Sequence, residues 1–389
     1  MPHNCSKSMS TTNYHWRIAG FYFFYYAFVG MFAPYWSLYL KFLHFDAIDI
    51  AILLSIQPVM RMIAPNIWGW LADHTGKRLL VVQAAATLSA LFYLGVFATT
   101  SFWGLFLVLS LMSFFWSASM PLIEATTLSY LGKNTSHYGR IRSWGSIGFI
   151  VAVVGLGYAF DYIAIAWLLW AGLVCEVGIL IFSRQIPKTE VLAHHTDSQS
   201  IKQIVFQPHV LTLLSACFLM SAAHGAYYTF FSIYLVEHGY TKSAVGGLWA
   251  LGVICEIGVF FLMPWLVRHF GFIRILVFSF CAAVVRFLLI GWCVDILLLL
   301  LLAQVLHAAT FGSYHAASVG LIHEFFQGRH QSKGQALFGS ATYGAGGVLG
   351  GLASGPIWQY WGASVLYSLS AGMALLGLLL ILWKMRSLR

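Results

Sequence analysis

GWLADHTGKR, Gly69 to Arg78, and PWLVRHFGFI, Pro264 to Ile273, stand 195 residues apart in this chain. That shift lays Leu71 over Leu266 and Gly76 over Gly271. It also lays Gly30 on Gly225, Ser37 on Ser232, Tyr39 and Leu40 on Tyr234 and Leu235, and Arg61 on Glu256. The chain is therefore an internal, parallel repeat, each half carrying the same short turn after its second apolar stretch.

What surrounds those turns fixes the class. Of 389 residues, 60% are hydrophobic, 17% aromatic and only 8% charged, against roughly 25% charged in a soluble domain. Apolar runs of about 20 residues, the length that crosses a bilayer core, recur along the whole chain. Helices, not the alternating strands of a barrel, are then the spanning elements. Twelve are expected, at 17–40, 47–71, 79–99, 102–131, 141–161, 163–183, 208–236, 243–267, 274–293, 295–325, 334–358 and 362–384. The fold predicted is an all-α membrane protein of two six-helix bundles, 1–183 and 208–389, joined by a polar cytoplasmic linker, 184–207, that includes the His-rich EVLAHHTDSQS.

Lys and Arg set the orientation. With the N-terminus inside, the outer loops hold only Lys41 and Lys242, so both termini are expected in the cytoplasm. The same bias accounts for the net charge of +9 without any nucleic acid. Six scattered cysteines form no CxxC pair and read as small apolar fillers. Residues 1–15 are polar, so the first helix reads as a retained span and not a signal peptide.

Charges inside such spans are the candidates for function, because each costs about 2.5–3.5 kcal/mol or more to place at membrane depth. PLIEATTLSYLGKNTSHYGRIRSWGSIG, Pro121 to Gly148, carries Glu124 in one helix and Arg142 at the head of the next. Arg61 and Glu256 occupy equivalent places in the two halves, and Arg286 lies mid-span as a counter-ion for Glu256 or a ligand for a substrate carboxylate. A carboxylate withdrawn from water holds its proton more tightly and a nearby cation loosens it, which is the physics that proton coupling needs. Structural readings stand beside these: Arg142 as a positive-inside anchor with Glu124 as its partner, and Arg61 or Glu256 in a fixed ion pair. Glu176, with no partner evident in sequence, reads as structural.

His224, Tyr227 and Tyr228 fall on one helical face, an aromatic wall with a polar tip that suits a planar ligand. His307, with Tyr314 seven residues on, and His315 could relay protons or simply hydrogen-bond between helices. No cluster has metal-ligand spacing, so no metal is expected. GSATYGAGGVLGGLASGP, Gly339 to Pro356, offers overlapping small-xxx-small steps for close helix approach.

Several of these segments carry a family resemblance. GWLADHTGKR resembles the loop motif of the major facilitator superfamily, and YGRIRSWGSIGF (Tyr138 to Phe149) resembles the helix 5 signature of its proton-symporter branch for oligosaccharides and nucleosides. YWSLYLK (Tyr35 to Lys41), AAHGAYYTFFSIYL (Ala222 to Leu235) and SAVGGLWALGVICEIGVFF (Ser243 to Phe261) are similar to the phenylpropionate permease family within it. The resemblance implies a non-enzymatic secondary transporter of the bacterial inner membrane. It would work as a monomer by alternating access, importing a small aromatic carboxylate with protons, driven by the proton gradient without a cofactor.

In roles, it implies substrate contacts from Glu124 and Arg142 with Glu256 across the cavity; with the residues read above, substrate contacts are expected from Glu124, Arg142, His224, Tyr227, Tyr228 and Arg286, and proton coupling from Glu256, Glu124 and His307. An interdomain latch would be made by Asp73, Lys77, Arg78 and Arg61, with helix 11 packing on helix 2. Arg268 replaces the acid in the second copy, so only the first-half latch is expected. A proton symporter of a sugar or nucleoside is the alternative, since Glu124 and Arg142 match positions used by galactoside carriers. A non-transporting receptor on a carrier scaffold is the alternative from another class. His44 to Asp49 matches an acyltransferase spacing only by a short pattern, and Asn134 to Ser136 is a glycosylation form on the cytoplasmic side.

Overall fold

The computed structural model describes residues 6–131, 137–186 and 201–384. The tripeptide 134–136, most of the expected linker (187–200) and Cys5 lie outside the described residues. Among the described residues all regular structure is helical, and ten helices are long and apolar enough to cross a membrane. They are α1 (Ser6–Phe42), α2 (Ala47–Thr75), α3 (Arg78–Phe97), α4 (Phe102–Leu131), α5 (Tyr138–Phe160), α6 (Leu168–Gln185), α7 (Pro208–Glu237), α8 (Lys242–Trp292), α9 (Leu297–Phe325) and α10 (Lys333–Lys384).

Two of the ten are double-length, where the sequence predicted separate spans. α8 runs through Gly271 at φ 72°, and α10 through Gly362 at φ 80°. A positive φ is open to glycine at no steric cost, so each chain reverses or bends there without an intervening loop. Gly76, the repeat partner of Gly271, also has a positive φ, 65°. The turns match in their aromatics too: Trp70 stacks on His74 at 5.3 Å, and Trp265 meets His269 at 4.5 Å.

The chain divides into two compact units, one of Met1–Leu43 with Val59–His195 and the other of His44–Pro58 with Thr196–Arg389. In the first, α1 is the most deeply buried helix and packs on α5 and α6, while α3 packs on α4 and α6. The α1/α5 contact is made at backbone range: a Cβ on Gly30 would strike the backbone of Phe149, and one on Gly148 the backbone of Phe23. Tyr25 stacks on Trp116 at 4.1 Å and 12°, tying α1 to α4.

In the second unit α7 holds the equivalent central position and packs on α10, and α8 packs on α9 and α10. Gly225, the partner of Gly30, abuts the backbone of Gly350 and Gly351, and Gly346 abuts Phe218. Gly351 and Gly355 face Ser55 and Ala51 at the start of α2, which is why His44–Pro58 groups with this unit. Between lipid-like surroundings and protein there is little hydrophobic drive, so this close van der Waals approach carries the association. Outward faces are correspondingly apolar, with Trp103, Phe261 and Leu298 each at least 74% exposed.

Candidate functional site

Each unit holds a cluster of embedded charged and aromatic side chains. In the first, Arg142 Nε lies 3.8 Å from Glu124 Oε1. The guanidinium is 4.1 Å from the centre of the Tyr26 ring and 5.5 Å from that of Tyr22, and its Nη2 donates to the Tyr26 hydroxyl. Tyr22 in turn shares a hydrogen bond with Thr127 at 3.4 Å. The pair is only partly covered, Arg142 at 29% and Glu124 at 40% side-chain exposure, so both groups can meet a ligand or water. Arg61 is exposed and lies 4.9 Å over the ring of Trp116.

The second cluster is interior. Arg286 on α8 is fully buried. Its Nε donates to the Ala303 carbonyl at 3.1 Å, and Nη1 reaches His224 Nε2 at 3.2 Å and Thr310 Oγ1 at 3.4 Å. The Tyr227 ring lies under the guanidinium at 4.2 Å, a cation–π contact strengthened by the burial of both groups. The remaining nitrogen, Nη2, has no hydrogen-bond partner among the described residues. Nor does Arg286 have an ion-pair partner there. Of the two roles left open by the sequence, counter-ion of Glu256 is not the one seen, because Glu256 Oε2 instead lies 4.0 Å from His307 Nε2.

Around Tyr227 the other donors converge. Its hydroxyl donates to Gln304 Oε1 at 2.9 Å, leaving Gln304 Nε2 without a partner, and its ring stacks on His307 at 5.7 Å, whose Nδ1 is likewise unpartnered. Three buried nitrogens, on Arg286, Gln304 and His307, are thus unmatched around one tyrosine. An unmatched buried polar group costs about 1–3 kcal/mol and more when charged, so a ligand supplying acceptors to the Arg286 and Gln304 nitrogens would be held strongly.

Beside this cluster is a small pocket of about 30 Å³ whose walls include His224, Tyr228, Thr310, Phe311, Tyr314 and Tyr343. The expected aromatic face of α7 therefore splits: His224 and Tyr228 line the pocket, and Tyr227 turns inward to Arg286. His315 Nδ1 bonds the Tyr343 hydroxyl at 2.7 Å, a helix-to-helix tie. Two wall segments, Ala308–Ser313 in α9 and Ser340–Gly346 in α10, are π-helical. Such one-residue expansions shift the faces that follow and occur often at functional sites. The α-helical spacing that grouped His307 with Tyr314 does not hold across the first of them.

Glu176 is fully buried and accepts from Ser89 at 3.1 Å, a structural contact within the first unit. Asp73 and Lys77 are exposed and Arg78 half-buried, at the end of α2 and the start of α3. Sequence reasoning missed Gln304 and Thr310; single uncharged polar residues in apolar helices carry no pattern that would mark them.

Among the described residues the chain is all-helical and lipid-compatible, with embedded charges on an internal repeat, and residues 15–369 match the MFS_1 like family. The chain belongs to that family, and so to the transporters of the major facilitator superfamily rather than to any enzyme class. Among its relatives, it is 29% identical over 356 residues to the "Probable 3-phenylpropionic acid transporter" of Escherichia coli (strain K12), covering 90% of this chain and 93% of that one. It is 26% identical to the maltose permease of Geobacillus stearothermophilus, covering 93% and 92%. The crystal structure of nucleoside transporter NupG superposes with a TM-score of 0.82 at 17% identity, covering 96% of this chain and 99% of that one. At that identity the likeness is one of fold.

Proposed function

We propose that this protein is a proton-coupled importer of a small aromatic carboxylate such as 3-phenylpropionate. The observation that carries the reading is Arg286: a fully buried guanidinium with no carboxylate partner among the described residues, an unpartnered Nη2, and an aromatic-walled pocket beside it. Withdrawing such a charge from water costs several kcal/mol unless an anion meets it. A substrate carboxylate supplies that anion, and the rings of Tyr228, Phe311 and Tyr343 suit the attached aromatic ring. The relative named for 3-phenylpropionic acid supports the same ligand class.

The rest of the reading follows from this. In this reading the chain has twelve spans, six in each half of the repeat, 1–183 and 208–389; the positive φ of Gly271 and Gly362 inside the two double-length helices supports it. Both termini lie in the cytoplasm of a bacterial inner-membrane monomer that works by alternating access without a cofactor. Glu256 with His307, and Glu124 with Arg142, are the proton-responsive pairs, and Asp73, Lys77, Arg78 and Arg61 form the conformational latch. A second reading, a sugar or nucleoside symporter, is favoured by the Glu124/Arg142 pair, whose acceptor and donor fork would suit hydroxyl groups. Its relative named for maltose agrees.

Uptake of labelled 3-phenylpropionate, maltose and uridine by energised right-side-out vesicles, with and without a protonophore, separates the readings. Protonophore-sensitive uptake of the aromatic acid alone is expected. Uptake of maltose or uridine alone would move the function to the second reading, and saturable binding of any of the three without flux would point to a receptor.

A further inference from the structure

We propose that His224 is a proton-operated gate on Arg286, coupling the entry of one proton to the capture of one carboxylate. The inference rests on the assignment of Arg286 to the substrate carboxylate. It adds the residue that takes the proton at the binding step, ahead of the Glu256 and Glu124 pairs that respond as the bundles move, and the reason that the two ligands bind together.

The hydrogen bonds of His224 allow a single state of its ring. Nδ1 lies 2.8 Å from the Met220 carbonyl, which can only accept, so Nδ1 carries a hydrogen. Nε2 lies 3.2 Å from Arg286 Nη1, which can only donate, so Nε2 presents its lone pair. Only a neutral imidazole satisfies both neighbours. His224 and Thr310 line the pocket while Arg286 does not, so these two side chains stand between the pocket and the guanidinium.

A proton from the pocket that binds the Nε2 lone pair turns an acceptor into a donor facing a donor. The bond to Arg286 is lost. The new Nε2–H has an acceptor at hand in Thr310 Oγ1, already 3.3 Å away, so the ring has a second partner to turn to. Arg286 Nη1 is released from His224 and joins the unpartnered Nη2, changing a one-donor contact into the two-donor fork that fits a carboxylate. The carboxylate then offsets two adjacent cations, His224 and Arg286. Neither ligand is well held alone: the proton meets a buried guanidinium, and the carboxylate meets only half a fork. Binding is thereby cooperative, and by linkage each ligand raises the affinity for the other by the same factor.

Other groups that face His224 act on the same step. Arg286 comes from α8. From α9 comes His307, with ring centres 6.4 Å apart, which itself contacts Glu256. Tyr228 on α7 is 6.3 Å away, with Tyr227 beside it, and Tyr314 and Tyr343 lie across the pocket. Within this set His224 alone bonds both Arg286 and the pocket-lining Thr310.

The test is equilibrium binding of labelled 3-phenylpropionate to the purified full-length protein at pH 6, 7 and 8, with proton uptake read by an indicator dye in lightly buffered solution. For the natural protein, Kd is expected to weaken by up to about tenfold per pH unit, with about one proton taken up per ligand bound. In His224→Ala, and in His224→Gln should the smaller side chain impair folding, Kd is expected to lose its pH dependence and the dye signal to vanish. Proton uptake and pH slope that persist in these variants, or natural protein that binds with no proton uptake, would overturn the gate. Arg286→Gln distinguishes the two levels. Unchanged binding in that variant, or no binding by the natural protein, defeats the carboxylate assignment and the gate with it, whereas pH-independent binding that still requires Arg286 defeats the gate alone.

Discussion

Replacing Arg286 with glutamine removes the guanidinium while keeping a polar side chain of moderate length. In the structure Nη2 is the donor without a partner, and Nη1 is shared between His224 and Thr310. A hydrogen bond to a charged group contributes about 1.5–3 kcal/mol, and at about 1.4 kcal/mol per tenfold a loss near 3 kcal/mol weakens carboxylate binding about 150-fold. The uncharged amide of the same acid should change less than about threefold, because it never used the charge. Folding need not suffer in proportion. The lost bonds to Ala303, His224 and Thr310 and the Tyr227 cation–π contact are offset by relief of an unpaired buried charge. Binding of both compounds to the two proteins, with thermal unfolding as the control, decides the matter. If acid and amide weaken equally, or neither weakens in a folded variant, Arg286 is not the anion ligand.

Three further outcomes are expected. Glu256→Gln should abolish accumulation against a gradient while leaving counterflow exchange; accumulation at the natural level in vesicles would remove Glu256 from the coupling role. Glu124→Gln should lower stability by no more than about 1 kcal/mol, because the pair with Arg142 is long and partly exposed; thermal unfolding reads this, and a large loss would show the pair to be structural. Gly225→Ala should destabilise by about 1–3 kcal/mol, since its Cβ would press on the backbone of Gly350 and Gly351. Unchanged thermal unfolding would mean that α7 and α10 can separate freely.

Much of the scaffold is legible in the sequence because backbone constraints leave residue-level marks. Gly76 and Gly271 coincide at the 195-residue shift, and both adopt the positive φ that favours glycine. Gly30 and Gly225 coincide as well, and each sits where one helix meets the backbone of another. Embedded charges were equally visible, since burial makes each one costly. Their partners were not. Whether Glu256 meets Arg286 or His307 depends on packing among α7, α8 and α9, and the observed partner is His307. The π-helical segments beside the pocket were also hidden: one extra residue in a turn is decided by what the neighbouring helices require, and AATFGS and SATYGAG contain nothing that forbids an ordinary helix. Gln304 and Thr310 become notable only once Arg286 and Tyr227 are seen against them.

Proton movement with substrate is the central claim, and the medium itself reports it. Adding 3-phenylpropionate to de-energised, lightly buffered vesicles that carry the protein should make the external pH rise, with no rise beyond that of vesicles lacking the protein when maltose or uridine is added. A rise with maltose or uridine but not with the aromatic acid, or no protein-dependent change with any of them, would contradict proton-coupled import of an aromatic carboxylate.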